Sequence, residues 1–148
     1  MNVSTNCLTL IKKYEGLKLK SYLCPAGVAT IGYGNTRYKD GTPVTLGESI
    51  TQDQADELLN SILEDFIESV NYLVKAPINQ NQFDALVSFV YNVGSGNFQK
   101  STLLKKINVN PNDPTIKDEF MRWVKSKGKV LDGLVKRRTS EAELYYKK

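Results

Sequence analysis

Lys18-Leu19-Lys20-Ser21-Tyr22-Leu23-Cys24-Pro25-Ala26-Gly27-Val28-Ala29-Thr30-Ile31-Gly32-Tyr33 is the stretch whose reading decides the fold. Two extended runs, Lys18 to Leu23 and Gly27 to Tyr33, enclose Cys24-Pro25-Ala26-Gly27, which sets Pro and Gly where a type I turn takes them. The stretch therefore predicts a β-hairpin. Upstream, Cys7, Leu8, Ile11 and Tyr14 recur along one side of a helix predicted over residues 4 to 15, with Ser4 or Thr5 as cap and Gly16 as stop. Downstream, the Gly, Thr and Pro content from Gly32 to Gly47 implies further turns or a short third strand.

Beyond that point the periodicity is helical. Thr51-Gln52-Asp53-Gln54 forms a capping box, after which Ala55, Leu58, Leu59, Ile62, Leu63, Phe66, Ile67, Val70 and Leu73 keep a 3.6-residue rhythm until Ala76-Pro77 interrupts it. A second box, Asn79 to Gln82, opens a helix that turns Phe83, Leu86, Val87 and Val90 inward and closes at Gly94-Ser95-Gly96. Three shorter helices are expected: one near Ser101 to Asn108, one capped by Asp113 with Pro114 in its first turn and carrying Phe120 and Trp123, and one from about Leu134 to Tyr146. The class is α+β, a helix and small sheet followed by a helical bundle, and the 148 residues suit one domain.

Composition narrows the chemistry. Hydrophobic residues make up 41% and charged residues 24%, enough apolar material for a core and too little charge for a disordered chain. The chain contains no histidine, which removes the Ser-His-Asp triad, the Cys-His dyad and the HExxH zinc site. Two cysteines cannot make a four-thiolate zinc site, no GxxxxGK[ST] loop occurs, and Gly32-Tyr33-Gly34 is not a dinucleotide fingerprint. No cofactor and no metal are expected. Catalysis, if present, falls to carboxylates, hydroxyls and a thiol.

The net charge of +4 favours polyanionic surroundings: nucleic acid, a membrane surface or an acidic cell wall. Basic residues concentrate late, at Lys125, Lys127, Lys129, Lys136, Arg137, Arg138, Lys147 and Lys148. No apolar run approaches the roughly 20 residues of a membrane span, so no stable membrane insertion is expected. The opening MNVSTNCLTLIKK lacks the basic and apolar regions of a secretory signal. Nucleic acid is set aside as a partner, because the basic tract has no aromatic interleaving before Tyr145-Tyr146 and no nucleic-acid-binding module is visible.

Glu15 ends the first helix, Cys24 lies nine residues on in the turn, and Thr30 six further in the second strand. A helix end abutting a tight hairpin can bring all three to one cleft, because the turn folds strand two back beside strand one. Singly they say little, since a Glu at a helix end is usually solvated and a lone Cys or strand Thr usually packs.

Read together with Glu15-Gly16-Leu17-Lys18 and Gly32-Tyr33-Gly34-Asn35-Thr36, this string resembles the active-site segment of the bacteriophage-type lysozymes, glycoside hydrolase family 24. Gln82-Phe83-Asp84-Ala85-Leu86 and Tyr91-Asn92-Val93-Gly94 look like that family's central helix. Gly133-Leu134-Val135-Lys136-Arg137-Arg138-Thr139-Ser140-Glu141 looks like its C-terminal motif. The likeness runs in order from about Ile11 to Tyr145.

The resemblance implies a lysozyme-like fold, with a cleft between the hairpin region and the helical part. It also implies hydrolysis of the β-1,4 bond between N-acetylmuramic acid and N-acetylglucosamine in the glycan strands of peptidoglycan. The chain would be a monomeric endolysin, made in the cytoplasm of a bacterial host and acting on its periplasmic wall, with no export route of its own in the sequence. Glu15 would be the general acid, its pKa raised by burial. Cys24 stands where the family carries Asp or Cys and would activate water or steady positive charge, with Thr30 orienting the water through its hydroxyl. The reaction would invert the anomeric centre. Arg138 is placed next to the acid, and Arg137 is expected to be a surface cation. Asn92, Tyr33 and Gly34 would line the sugar groove through amide hydrogen bonds, a stacking face and close backbone approach. Asn35 stands where a His can occur, and Trp123 is read as core. Cys7, on the apolar side of the first helix, is read as a buried free thiol, not a disulfide partner of Cys24. Two rivals remain: a catalytically impaired peptidoglycan-binding module of the same fold, and a small nucleic-acid-binding protein.

Overall fold

Helix α1 spans Thr5–Glu15 and stops where Gly16, at φ +72°, bonds its N–H to the Lys12 carbonyl at 3.0 Å. The predicted hairpin comes next: β1, Lys18–Leu23, pairs antiparallel with β2, Ala29–Gly32, setting Tyr22 opposite Thr30 and Leu23 opposite Ala29. Gly27 N–H to Cys24 O at 2.8 Å and Cys24 N–H to Val28 O at 3.0 Å close the turn. Strand β2 is shorter than the Gly27 to Tyr33 run, because Gly27 is used up in the turn and the chain folds back after Gly32. There Ile31 and Asn35 exchange both backbone hydrogen bonds, at 2.8 and 2.9 Å. No third strand forms. The segment around Ser49 instead lies along β1, through Ser21 N–H to Glu48 O at 2.9 Å and Ile50 N–H to Leu19 O at 2.8 Å.

The computed structural model describes all of residues 1–148, and packing divides them into two units: Ile11–Glu64, and Met1–Leu10 together with Asp65–Lys148. Helix α2, Gln52–Leu73, starts in the first and ends in the second. Its capping box is present as read, with Gln54 N–H on Thr51 Oγ1 at 3.1 Å and Thr51 N–H on Gln54 Oε1 at 2.9 Å. In the hairpin unit, Ile31, Val44 and Leu58 form a small core with Ala29, Tyr38, Ile50 and Ile62 packed on it.

The other unit is helical. Helix α3, Gln80–Val93, opens on the Asn79 box and is buried without a break from Gln82 to Val90, as a helix enclosed by neighbours must be. Helix α3 closes at Gly94 as expected, though Ser95 and Gly96 belong to a further short helix. Gly94 turns the chain at φ +92°, and α4, Ser95–Lys100, begins at once, tucking Phe98 against Phe89. Helix α5, Thr102–Val109, is capped by Ser101. Helix α6 is only Ile116–Phe120: Asp113 caps a turn, accepting from Thr115 N–H at 2.8 Å, instead of starting the helix, and Trp123 lies beyond its end. A second hairpin, β3 (Lys125–Ser126) with β4 (Lys129–Val130), lies hidden within the basic tract; α7, Asp132–Tyr146, then packs along α3.

Phe89 centres this unit. Its ring meets Phe98, Phe120 and Trp123 edge to face at 6.2, 5.4 and 5.8 Å, and Phe120 continues the chain to Tyr145 at 5.7 Å. Trp123 thus packs against the core, as read, though it stays half-buried. Because Phe89 is 0% exposed, Phe89→Ala should cost about 3 to 5 kcal/mol in denaturant unfolding. Val109→Ala, at a side chain 88% exposed, should stay within about 0.5 kcal/mol.

Candidate active site

Glu15 is the last residue of α1 and is half-buried. Its carboxylate lies against Gly34: a Cβ at that position would sit 3.2 Å from Glu15 Oε1 and 3.5 Å from its carboxyl carbon. Gly34 also takes φ +79°, so both the backbone and the neighbouring acid call for glycine there. The turn carrying it is fixed by the Ile31–Asn35 exchange and by Asn35 Oδ1, which accepts from Tyr33 N–H at 3.2 Å. Asn35 is 4% exposed, so the residue standing in a possible His position is committed to shaping this turn.

Across the hairpin, Thr30 is buried and donates its hydroxyl to Val28 O at 2.9 Å. Cys24 is partly exposed, and its thiol is held below the ordinary cysteine value by hydrogen bonds from the backbone of Val28, then of Ala26, and then from the Thr30 hydroxyl. One hydroxyl proton serves either the Val28 carbonyl or the sulfur. Cys7 is the opposite of Cys24: 0% exposed, with its thiol pushed up by burial and then by the Asp84 and Glu141 carboxylates. Both cysteines are free.

Tyr33 does not present the stacking face expected of it. It is 3% exposed, its hydroxyl donates to Asp56 Oδ1 at 3.0 Å, and Lys12 Nζ lies 5.5 Å from its ring centre. Lys12 completes the triangle with Asp56 Oδ1 at 3.2 Å, so Tyr33 braces α1 and α2 beside the Glu15 turn. Lys12 and Asp56 escape a reading of the sequence, because nothing in their spacing marks two helices as neighbours.

In the helical unit, Asn92 is exposed at the end of α3 and its Oδ1 accepts from Arg138 Nη2. Arg138 is 1% exposed, and its other nitrogens are engaged as well: Nε donates to Trp123 O at 2.9 Å and Nη1 to Glu141 Oε1 at 2.8 Å. Its guanidinium also lies 5.0 Å from the Phe89 ring centre. Arg137 is not the surface cation expected. It is 3% exposed, its Nε pairs with Glu141 Oε2 at 3.3 Å, and its Nη2 donates to Ser88 O at 3.2 Å. The reason is position: three and four residues from Glu141 on α7, both arginines reach one buried carboxylate, and α3 covers that face. Ser88 Oγ adds a third donor to Glu141 at 2.6 Å. No cluster of three or more His, Cys, Asp or Glu is placed to hold a metal ion.

Against known proteins, the family model described as Phage lysozyme matches residues 12–141. The endolysin of Acyrthosiphon pisum secondary endosymbiont phage 1 is 44% identical over 149 residues, covering 98% of this chain and 98% of that protein. The endolysin of Bacillus phage B103 is 42% identical over 98% of this chain but 54% of its own length, so this chain spans about half of that longer relative. Among solved structures, the endolysin from Escherichia coli O157:H7 phage FAHEc1 superposes with a TM-score of 0.92 at 41% identity, covering 99% of this chain and 94% of that one.

The contrast between the two thiols can be measured. Alkylation of the native protein should modify Cys24 while Cys7 stays silent until unfolding, and the pH midpoint of the Cys24 reaction should lie below that of an ordinary cysteine. Thr30→Val removes a donor to the thiolate and should move that midpoint upward. Glu141→Gln leaves two buried guanidinium groups without their shared counter-charge and should cost on the order of 3 to 5 kcal/mol in unfolding.

Proposed function

This chain belongs to the phage lysozyme family, and on that footing we propose how its residues carry out the work of an endolysin, hydrolysis of peptidoglycan between N-acetylmuramic acid and N-acetylglucosamine. Glu15 gives its proton to the glycosidic oxygen as the bond to the anomeric carbon of the muramic acid breaks. Gly34 lets the carboxyl sit flush against the turn, where any larger residue would displace it.

Water attacks the opposite face of the sugar, and its proton passes to the Cys24 thiolate. The Thr30 hydroxyl holds this water while remaining within reach of the sulfur. The anomeric centre inverts, and the two protonation states are restored by exchange with solvent. In most glycosidases a carboxylate fills the place of Cys24. A thiol can do so here because its hydrogen bonds favour the charged form.

Asn92 and Arg138 have separate parts. Arg138 occupies the amide oxygen of Asn92, which turns the two Nδ2 hydrogens outward as donors to a sugar hydroxyl or acetamido carbonyl. Arg138 is then a positioning residue for Asn92. Tyr33 likewise acts by holding the turn that carries Gly34. The protein works as a monomer in this proposal.

The observation that carries the assignment is the placing of Cys24 and Thr30 in one hairpin whose following turn seats the Glu15 carboxylate. Glu15→Gln should lower lysis of cell-wall suspensions by about 10² to 10⁴-fold with no loss of thermal stability, since Gln cannot donate the proton. Gly34→Ala should impair kcat through the same carboxylate. Wild-type lysis by Glu15→Gln would overturn the mechanism and favour a different bond as the target.

A further inference from the structure

The β3–β4 hairpin is the part of the fold that the catalytic residues leave unused. Every residue from 125 to 133 is exposed. The strands hold only two residue pairs, Lys125 with Val130 and Ser126 with Lys129, and Leu131 N–H to Val124 O at 3.0 Å fixes the base. Three of its six residues are lysines, and none of the three makes a hydrogen bond or ion pair with the rest of the chain. The neighbouring carboxylate, Asp132, sits in the first turn of α7, where the helix dipole favours a negative charge.

Two further features distinguish this hairpin from a merely solvated charge run. Lys127 occupies the first central position of the turn at φ +52°, and it is the one residue other than glycine with positive φ in the chain. Two-residue turns of this kind take Asn, Asp or Gly there, so a lysine at the tip is held against local preference. Val130 and Leu131 then stand bare at the base, 56% and 45% exposed, beside those cations. A hydrophilic polyanion gives lysines partners but leaves two aliphatic side chains in water. An anionic bilayer satisfies both, phosphate headgroups meeting the ammonium groups and the acyl boundary taking the aliphatic pair.

We propose that the β3–β4 hairpin docks this protein reversibly, lying along its length, on a membrane surface rich in anionic phospholipid. The attachment is peripheral: no helix is long and apolar enough to cross a bilayer. It is also independent of the catalytic residues, because it uses none of them.

The test is co-sedimentation of the full chain with vesicles of phosphatidylcholine alone and of phosphatidylcholine mixed two to one with phosphatidylglycerol. The wild type should sediment with the anionic vesicles, release at high salt, and ignore the neutral ones. K125Q/K127Q/K129Q should weaken partitioning by about a hundredfold, from roughly fivefold per lysine near a charged bilayer. K100Q/K105Q/K148Q, an equal loss of charge at exposed lysines elsewhere, should change it by less than about threefold if the hairpin is the contact and long-range attraction is screened. Replacing Val130 and Leu131 together by Ser should weaken it several-fold with all lysines kept. Both hairpin variants should unfold like the wild type and hydrolyse soluble glycan fragments at its rate, so failure of docking and failure of the enzyme assignment read out separately. Equal losses in the two lysine triples, full binding by the serine pair, or no preference for anionic vesicles would each overturn the proposal; full binding by the serine pair would mark the hairpin as a patch for a hydrophilic polyanion.

Discussion

Glu141 is one carboxylate with no exposed surface, and the helical unit is organised around its two oxygens. One accepts from Arg138; the other accepts from Arg137 and from the Ser88 hydroxyl. A buried charge is tolerated only when its hydrogen-bonding capacity is met, so the helices that supply these donors, α3 and α7, are fixed in register. The consequences are local. Arg138, held in place, reaches the Trp123 carbonyl and the Asn92 side chain, and its flat face lies over Phe89. Loop, core and one exposed amide are therefore set by a single ion cluster.

A comparable arrangement secures the start of α1. Asp84, also without exposed surface, accepts from Ser4 N–H at 2.9 Å and from the Ser4 hydroxyl, with Gln80 Nε2 at 2.9 Å as a further donor. Ser4 is the cap of α1, so a carboxylate on α3 secures the helix that ends at Glu15. In the hairpin unit the corresponding constraint is conformational. Gly34 at positive φ and the paired backbone of Ile31 and Asn35 form a turn against which only a bare Cα leaves room for an acid. Charge fixes one unit and backbone geometry the other.

This division decides how much is legible in the sequence. The hairpin and both capping boxes depend on residues within a few positions of one another, and turn and cap chemistry is local enough to show in the string. Arg137 reads wrongly as a surface cation because its burial depends on Glu141 and on α3 passing overhead, which helical spacing alone does not reveal. Tyr33 reads as a platform because an aromatic between two glycines suggests access; its occupant, the Lys12–Asp56 pair, comes from two different helices. Helix α4 and the β3–β4 hairpin escape notice for a related reason. Phe98 is drawn onto Phe89 only in the folded core, and Lys127-Gly128 is a turn whose first residue is not one that turns prefer.

At the centre of the proposed chemistry a carboxyl and a hydrogen-bonded thiol, without histidine, direct a water to the anomeric carbon of the muramic acid residue. Mass analysis of the fragments released from purified peptidoglycan tests this most directly, carried out in water enriched in heavy oxygen. Hydrolysis at that carbon yields N-acetylmuramic acid at the new reducing end, carrying one heavy oxygen. Anhydro-muramic ends lacking a water, N-acetylglucosamine at the reducing end, or free stem peptides would contradict it.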